Sequence, residues 1–356
     1  MKPKNKCISS IVMHYVVTIG IPVYNVEKYI RRSLDSALAQ TFESIEYLIL
    51  DDCGNDGSMD IVRDYQRTHP RGRDIHIIYQ PQNQGIGCAR NRIIEDAAGK
   101  YIYFMDADDC IAPDTIEKLY TNAQKYNAQM VYGSYEKTEN FENHTKRMQK
   151  RYPLKTFLRE NEYPDYAFGH YDSIQANVWN ILIEKECIIK NDLLFLPINY
   201  WEDFIFTMIL PAYVNRVVLL PDITYYYNCH TSSLSNFQFR RHIEKREVQD
   251  TINALNRNKE LVSIFRTKPF FPYLVYKLMK TGFYVVCTIL RQKDSISPAF
   301  TKREMRDVLK SPVKLTDIFR FRRACIPNLL LYILSVLPPS LSVGIIEFVG
   351  KRKKLI

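Results

Sequence analysis

At 356 residues the chain has room for one large domain or two, and its composition, 46 % hydrophobic and 25 % charged, excludes a disordered or low-complexity polypeptide. The net charge of +10 is unevenly placed: residues 236–356 hold 24 Lys and Arg against 9 Asp and Glu, or +15, so residues 1–235 carry −5. So basic a tail points at an anionic partner, a membrane surface or a polyanion, unless it is simply a solvated face.

Eight cysteines with neither a CxxC pair nor Cys/His zinc spacing fit a reducing compartment. Lys2, Lys4 and Lys6 ahead of an apolar run resemble a signal peptide, but the run continues through residues 15–21 and serves better as a first strand. No uninterrupted apolar stretch has the length of an ordinary transmembrane helix.

After that strand comes Pro22-Val23-Tyr24-Asn25, then a helix with Ile30, Leu34, Ala37 and Leu38 on one face and Asn25 as candidate N-cap. A second strand, 45–50, ends in Asp51-Asp52-Cys53-Gly54-Asn55-Asp56-Gly57-Ser58, a turn-forming composition, and a helix with Ile61, Val62 and Tyr65 follows. A third strand, 75–79, leads into Gln82-Asn83-Gln84-Gly85-Ile86-Gly87 and a helix over 89–98 stopped by Gly99. Tyr101-Ile102-Tyr103-Phe104-Met105 then runs directly into Asp106-Ala107-Asp108-Asp109, followed by a helix over 113–125 and a strand over 130–135. Strand and helix alternate through short loops, so the first 135 residues read as a parallel, doubly wound α/β sheet.

The unusual polar residues of this region all follow strands, and right-handed crossovers bring such tips to one sheet edge, where ligands of open α/β sheets sit. Three acids within four positions repel one another and call for a cation; hard oxygen ligands with room for phosphate oxygens suit Mg²⁺ or Mn²⁺. The plainer alternative is a turn in which Asp108 or Asp109 caps the next helix. A strand-tip carboxylate can also accept hydrogen bonds from a base or ribose, so the convergence implies a nucleotide site. GxxxxGK[ST] is absent and Gly85/Gly87 do not complete GxGxxG, which weakens P-loop and dinucleotide readings.

Four ordered motifs, Ile21-Pro22-Val23-Tyr24-Asn25, the Asp51–Ser58 turn, Gln82-Asn83-Gln84-Gly85 with Ala89-Arg90-Asn91, and Phe104-Met105-Asp106-Ala107-Asp108-Asp109, closely resemble the family 2 glycosyltransferases of bacterial polysaccharide biosynthesis. The resemblance implies a GT-A fold, a mainly parallel doubly wound sheet here carrying a helical C-terminal extension. It also implies inverting transfer of a sugar from a nucleoside diphosphate, usually a uridine one, with a divalent metal. By the family's pattern Pro22, Tyr24 and Asp51 border the base and ribose, with Asp52 a weaker candidate. Asp106 and Asp108 match the DxD pair, Asp108 being the direct metal ligand and Asp106 also serving the nucleotide. Arg90 is a candidate for the diphosphate or for the site's acid network, unless it is a surface helix arginine. Cys53-Gly54 stands where many members have Gly-Ser.

In the middle third, Asn177-Val178-Trp179-Asn180 followed by Trp201-Glu202-Asp203-Phe204 resembles the segment in which these enzymes carry their catalytic base, a role that falls to Asp203 with Glu202 as fallback. From the fragment alone, Asp203 would be a helix N-terminal charge. Further on, Tyr225-Tyr226-Tyr227-Asn228 has Asn where related enzymes often have an arginine before an S-x-S stretch, and His230, Arg240 or Arg241 are the candidate substitutes. His230 is also a candidate metal ligand.

Residues 236–356 read as helical, with two apolar segments: 270–290, interrupted by Lys277 and Lys280, and 329–349, broken by Pro338-Pro339 and followed by Lys351-Arg352-Lys353-Lys354. Each half of the second would reach only roughly 14 Å against a hydrocarbon core of about 30 Å, so it fits an element lying in the interface or a helical pair packed on the catalytic domain. The expectation is therefore a nucleotide-sugar-binding part over 1–135, an acceptor and catalytic-base part of the same domain over 136–235, and a basic helical region over 236–356. The enzyme would work in the cytoplasm, peripherally on the inner face of the membrane, on a growing lipid-linked glycan. The alternatives are an inactive nucleotide-sugar-binding scaffold, or a nucleotidyltransferase whose tail binds nucleic acid; no nucleic-acid module is recognisable and no such partner is expected.

Overall fold

The computed structural model describes residues 15–141, 144–169, 177–198, 201–230 and 241–356. The basic N-terminal start, Asn199, Tyr200, residues 231–235 and Arg240 lie outside the described residues.

Strands β1 (Val17–Val23), β2 (Ile45–Asp51), β3 (Ile75–Tyr79) and β4 (Tyr101–Phe104) pair in parallel, with β1 between β2 and β4. Their near-continuous apolar runs are what a strand covered on both faces requires, and β1 and β4 are buried throughout. The crossovers are helices α1 (Glu27–Leu38), α2 (Ser58–Thr68) and α3 (Ile86–Asp96). α1 buries the Ile30, Leu34, Ala37 and Leu38 face that the spacing predicts. Asn25 does not cap it: its φ is 52°, Val26 is the cap residue, and Asn25 Oδ1 accepts the Asn55 N–H at 2.8 Å. The side chain thus ties the first βα turn to the loop after β2.

Beyond β4 the order in the sheet is not the order in the chain. The next elements are β5 (Cys110–Ile111), α4 (Thr115–Tyr126), β6 (Met130–Phe141), β7 (His144–Lys150), β8 (Lys155–Phe157) and α5 (Glu162–Gly169). They continue as β9 (Ile181–Glu184), α6 (Lys185–Lys190), α7 (Phe204–Tyr213) and β10 (Val217–Cys229). The sheet runs β3-β2-β1-β4-β9-β6-β10-β5, with β7 on β6 and β8 on β10. The strand expected to extend the parallel sheet at 130–135 is therefore longer and does not lie against β4. β9, from the middle third, separates them and is antiparallel to both, so the sheet is mixed though mostly parallel. Asn180 is the knot at this junction: fully buried with φ of 60°, it donates to the carbonyls of Gly133 and Ser134 on β6 and accepts from Tyr103 of β4 and Thr224 of β10.

The C-terminal region comprises α8 (Lys245–Leu261), α9 (Phe271–Arg291), α10 (Lys302–Val308), α11 (Leu315–Ile318), α12 (Cys325–Val336) and α13 (Pro339–Arg352). α9 is its axis, with α8, α10, α12 and α13 packed around it. Its buried face, from Phe271 and Leu274 to Val286 and Ile289, belongs to the same core as β4, β6 and α7, so the region is fused to one face of the sheet. Contrary to the sequence expectation, α9 is long and apolar enough to cross a membrane, because Lys277 and Lys280 interrupt the run without ending the helix; half of its apolar window is buried inside the protein.

Candidate active site

Because β1, β2, β3 and β4 are parallel and in register, with Val23 beside Asp51 and Asp51 beside Tyr79, their C-terminal tips share one edge. Pro22 is buried within β1 opposite Leu50, while Tyr24 is exposed just past the strand. Asp51 is half-buried at the tip of β2 and accepts the Cys53 N–H at 3.0 Å. Asp52 points elsewhere: it is buried and accepts from Gln80 Nε2 and from the backbone N–H groups of Gln84 and Gly85, so it clamps the loop after β3 onto the loop after β2. Burial raises its pKa against those three donors. Gly85 takes φ of 83° in this clamp, a conformation that favours glycine.

The four residues after β4 divide their work. Asp109 is fully buried and spends both oxygens on β10, accepting Tyr225 Oη at 2.7 Å and the Asn228 N–H at 2.7 Å. Burial first, then the charges of Asp108 and Asp106, push its pKa well above the usual carboxylate range. The plain helix-cap alternative thus fails for Asp109, which anchors the acid loop to the sheet. Tyr225 also accepts the Asp106 N–H and stacks on Trp179 at 4.4 Å between ring centroids. The Trp-Asn pair of the middle third is therefore scaffolding: Trp179 backs Tyr225, and Asn180 knots the strands.

Asp108 is turned outward, partly exposed, with its carboxylate 2.7 Å from His230 Nε2 and its carbonyl receiving Arg32 Nη2 at 3.0 Å. His230, the first residue after β10, stacks on Tyr29 of α1 at 4.2 Å. Two elements far apart in sequence thus present an imidazole to the acid loop. Arg241 is exposed and, among the described residues, makes no hydrogen bond or ion pair with this loop.

Asp106 faces the other way. Arg90 of α3 donates Nη2 to Asp106 at 2.9 Å and Nη1 to Glu202 at 2.5 Å, and its guanidinium lies over the Phe195 ring. The reading of Arg90 as a surface arginine is excluded, since the side chain is buried; of the two remaining roles, these contacts make it the centre of the acid network. Burial opposes the Arg90 charge, but Asp106 and then Glu202 and Asp203 outweigh it and raise its pKa further. The segment carrying Glu202 is held against α3 by Asn91, which exchanges two hydrogen bonds with the backbone of Phe195. Gly87 permits the approach: a Cβ there would meet the Leu196 carbonyl oxygen at 2.0 Å.

Asp203 occupies the cap position of α7 without making a side-chain cap, so its carboxylate is not spent on the helix. Burial and then the Glu202 charge push its pKa well above the ordinary range, against the pull of Arg90. Burial also raises the Glu202 pKa, with Arg90 opposing. Sequence reasoning missed the parts played by Tyr29, Arg32 and Tyr225.

No group of three or more His, Cys, Asp and Glu side chains among the described residues forms a ready-made metal cage. The Asp108 carboxylate with His230 beside it still fits a hard divalent cation of the kind that takes one or two protein ligands and completes its shell with substrate phosphates and water.

A mixed, mostly parallel sheet with an acid loop at the tip of its central strand and a second carboxylate pair bridged to it by an arginine defines a glycosyltransferase of the GT-A fold. The chain belongs to glycosyl transferase family 2: residues 18–177 match that family. It is 31 % identical over 191 residues to an uncharacterized glycosyltransferase of Haemophilus influenzae, covering 54 % of this chain and 70 % of that protein. It is 36 % identical over 120 residues to the glycosyltransferase GlyA of Streptococcus pneumoniae, covering 33 % of this chain but only 16 % of GlyA. Among solved structures, Staphylococcus aureus TarS 1–349 in complex with UDP-GlcNAc superposes with a TM-score of 0.51 at 18 % identity over 83 % of this chain and 90 % of that one. The mannosyltransferase PcManGT of Pyrobaculum calidifontis, in complex with GDP-Man and Mn²⁺, does so with a TM-score of 0.51 at 15 % identity over 91 % and 89 %.

Proposed function

We propose that the protein is a metal-dependent, inverting glycosyltransferase that moves a sugar from a nucleoside diphosphate, a uridine one, to a hydroxyl of a growing lipid-linked cell-surface glycan. The observation that carries this reading is the Arg90 bridge, which joins the strand-tip acid Asp106 to Glu202, beside Asp203. Metal-type and base-type carboxylates are thereby gathered at one sheet edge, as displacement at a sugar carbon needs. That TarS is described with UDP-GlcNAc and PcManGT with GDP-Man and Mn²⁺ supports a nucleotide-sugar donor and a divalent ion.

In this reading Tyr24 and Asp51, with Pro22 beneath, receive the base and ribose. Asp108, with His230 beside it, would hold Mn²⁺ or Mg²⁺, the DxD partner Asp106 contributing through the carboxylate oxygen not bonded to Arg90, and the ion would supply positive charge to the leaving diphosphate. Asp203 takes the proton from the acceptor hydroxyl as that oxygen attacks from the face opposite the departing group. A carboxylate with a raised pKa is the stronger base, and such assistance is typically worth about 10²–10⁴-fold. Arg90 keeps Asp106 and Glu202 from repelling each other and leaves Asp203 the less compensated acid. The protein would act in the cytoplasm, peripherally on the inner face of the membrane.

The test is a panel of nucleoside diphosphate sugars with Mn²⁺, Mg²⁺ or EDTA, reading both donor binding and nucleoside diphosphate release. One donor is expected to show metal-dependent release, weakened by Asp108→Ala through donor binding and by Asp203→Asn through turnover alone. Binding without release on any glycan acceptor would favour the inactive scaffold; neither binding nor release from any donor would reject the donor assignment.

A further inference from the structure

α12 carries apolar side chains on its inner and outer sides alike, with Leu329, Leu331 and Leu334 partly buried against the core. Its buried positions are the polar Asn328 and Ser335, whereas Ile326, Leu330 and Ile333, spaced along one helical stripe, face solvent, Ile326 at 72 % exposure and Leu330 at 59 %. Of the inward polar side chains, Asn328 donates to the Pro272 carbonyl of α9 and Ser335 to the carbonyl of Tyr332. The outward apolar stripe is a surface that water disfavours. α13 continues the pattern. It buries Ser342, Val343 and Ile346 and exposes Leu341 and Phe348, the latter at 68 %, while Phe319 stands exposed just after α11.

The charge of these segments is mainly positive. Residues 314–356 contain eight Lys and Arg against two Asp and Glu. Two of these cations are already paired, Arg323 with Asp165 and Lys351 with Glu347. Arg320, Arg322, Arg352, Lys353 and Lys354 are exposed and form no ion pair among the described residues. At 12 and 14 residues, α12 and α13 are each about 18–21 Å long, too short for a hydrocarbon core of about 30 Å. Each is fixed along its inner face to α9, the one helix of sufficient length among the described residues, itself half buried. Short helices with inner faces fixed to the protein, apolar outer stripes and exposed cations suit the plane of a bilayer surface.

We propose that the outward faces of α11, α12 and α13 form a docking surface for a bilayer with anionic headgroups. Phe319, Ile326, Leu330 and Phe348 enter the acyl boundary, and Arg322 and the Arg352–Lys354 run meet the phosphates. The proposal rests on the membrane-attachment part of the function given above and not on its chemistry. It assigns the attachment to side chains and makes it a surface contact with no spanning helix.

The experiment is flotation of the full chain with vesicles of phosphatidylcholine alone and of phosphatidylcholine with phosphatidylglycerol, over a salt series and without donor. The protein is expected to float with the anionic vesicles and to be released as salt rises. Leu330→Glu with Phe348→Glu is expected to reduce binding by about tenfold or more while thermal melting stays unchanged, since both side chains are exposed. Gln in place of Arg352, Lys353 and Lys354 together is expected to reduce binding several-fold and flatten the salt dependence. Equal binding by the double Glu variant, or equal binding to neutral and anionic vesicles, would overturn the proposal. So would a wild-type dimer that the double variant dissociates, because a second copy would then be what covers the face. Failure of donor turnover with vesicle binding intact would sink the chemistry alone; the reverse would sink the surface alone.

Discussion

Arg90 concentrates the site's energetics in one side chain. It is buried with its Nε unpartnered among the described residues, and it neutralises the half-buried Asp106 and the buried Glu202, 16 and 112 positions further along the chain. Removing one member of such a cluster leaves uncompensated charge, which costs about 3–5 kcal/mol. Arg90→Ala is expected to lower the urea midpoint accordingly, and adding Glu202→Gln to recover part of the loss; an unchanged midpoint would mean the bridge does not form. Asp203 yields a pH prediction with a definite sign. A base must be deprotonated to act, and a pKa raised by burial and by Glu202 means that the active form is lost as pH falls through a value above the ordinary carboxylate range. Glu202→Gln removes the like charge and leaves Arg90 to act on Asp203, so the acid limb of the kcat–pH profile is expected to move to lower pH. A limb that stays in place, or moves up, would remove Asp203 as the titrating group.

Among the elements, strands β1 to β4 and their helices were legible because their signal is local: a buried apolar run, an Asp-rich stop, an amphipathic helix. The acids at the tips were legible for the same reason. Their partners were not, since Asp109 finds Tyr225 and Asn228 across separations of 116 and 119 residues and nothing in the β10 sequence announces that pairing. The place of β9 between β4 and β6 was hidden likewise, because a four-residue apolar strand does not encode its neighbours. A second long-range link joins α8 to the end of α10: Lys259 is buried and its Nζ donates to the carbonyls of Val308 and Lys310 at 2.7 and 2.9 Å. Burial lowers its pKa to about 7. Below that pH the lysine is protonated whether the chain is folded or not, so stability does not change with pH. Between about 7 and the ordinary lysine value near 10.4 the unfolded chain binds more protons, so stability rises with pH. In melts at pH 7 and 9.5, wild type is expected to gain stability relative to Lys259→Met, which lacks this slope. Parallel profiles would show that the lysine stays charged in the fold.

For the whole molecule, the shared core decides how the C-terminal region can be probed. Deleting 315–356 would be the obvious test of membrane attachment if α11 to α13 were an appendage. They are not: Val343 and Ile346 of α13 are buried in the same core as α9 and β4, and Leu329, Leu331 and Leu334 of α12 pack against it. Fully buried aliphatic side chains contribute roughly 1.5–3 kcal/mol each, so losing this layer approaches the 5–15 kcal/mol that typically separates folded from unfolded protein. It would also bare the apolar flank of α9, which has the length and composition to enter a membrane on its own. The truncated chain is therefore expected to melt well below the full protein and to aggregate, or to bind neutral and anionic vesicles alike, without the salt dependence of the intact surface. Cooperative melting of the truncated chain at the wild-type temperature would mean that α12 and α13 contribute nothing to the fold. Short of that result, only substitutions on the outer stripe separate loss of attachment from loss of structure.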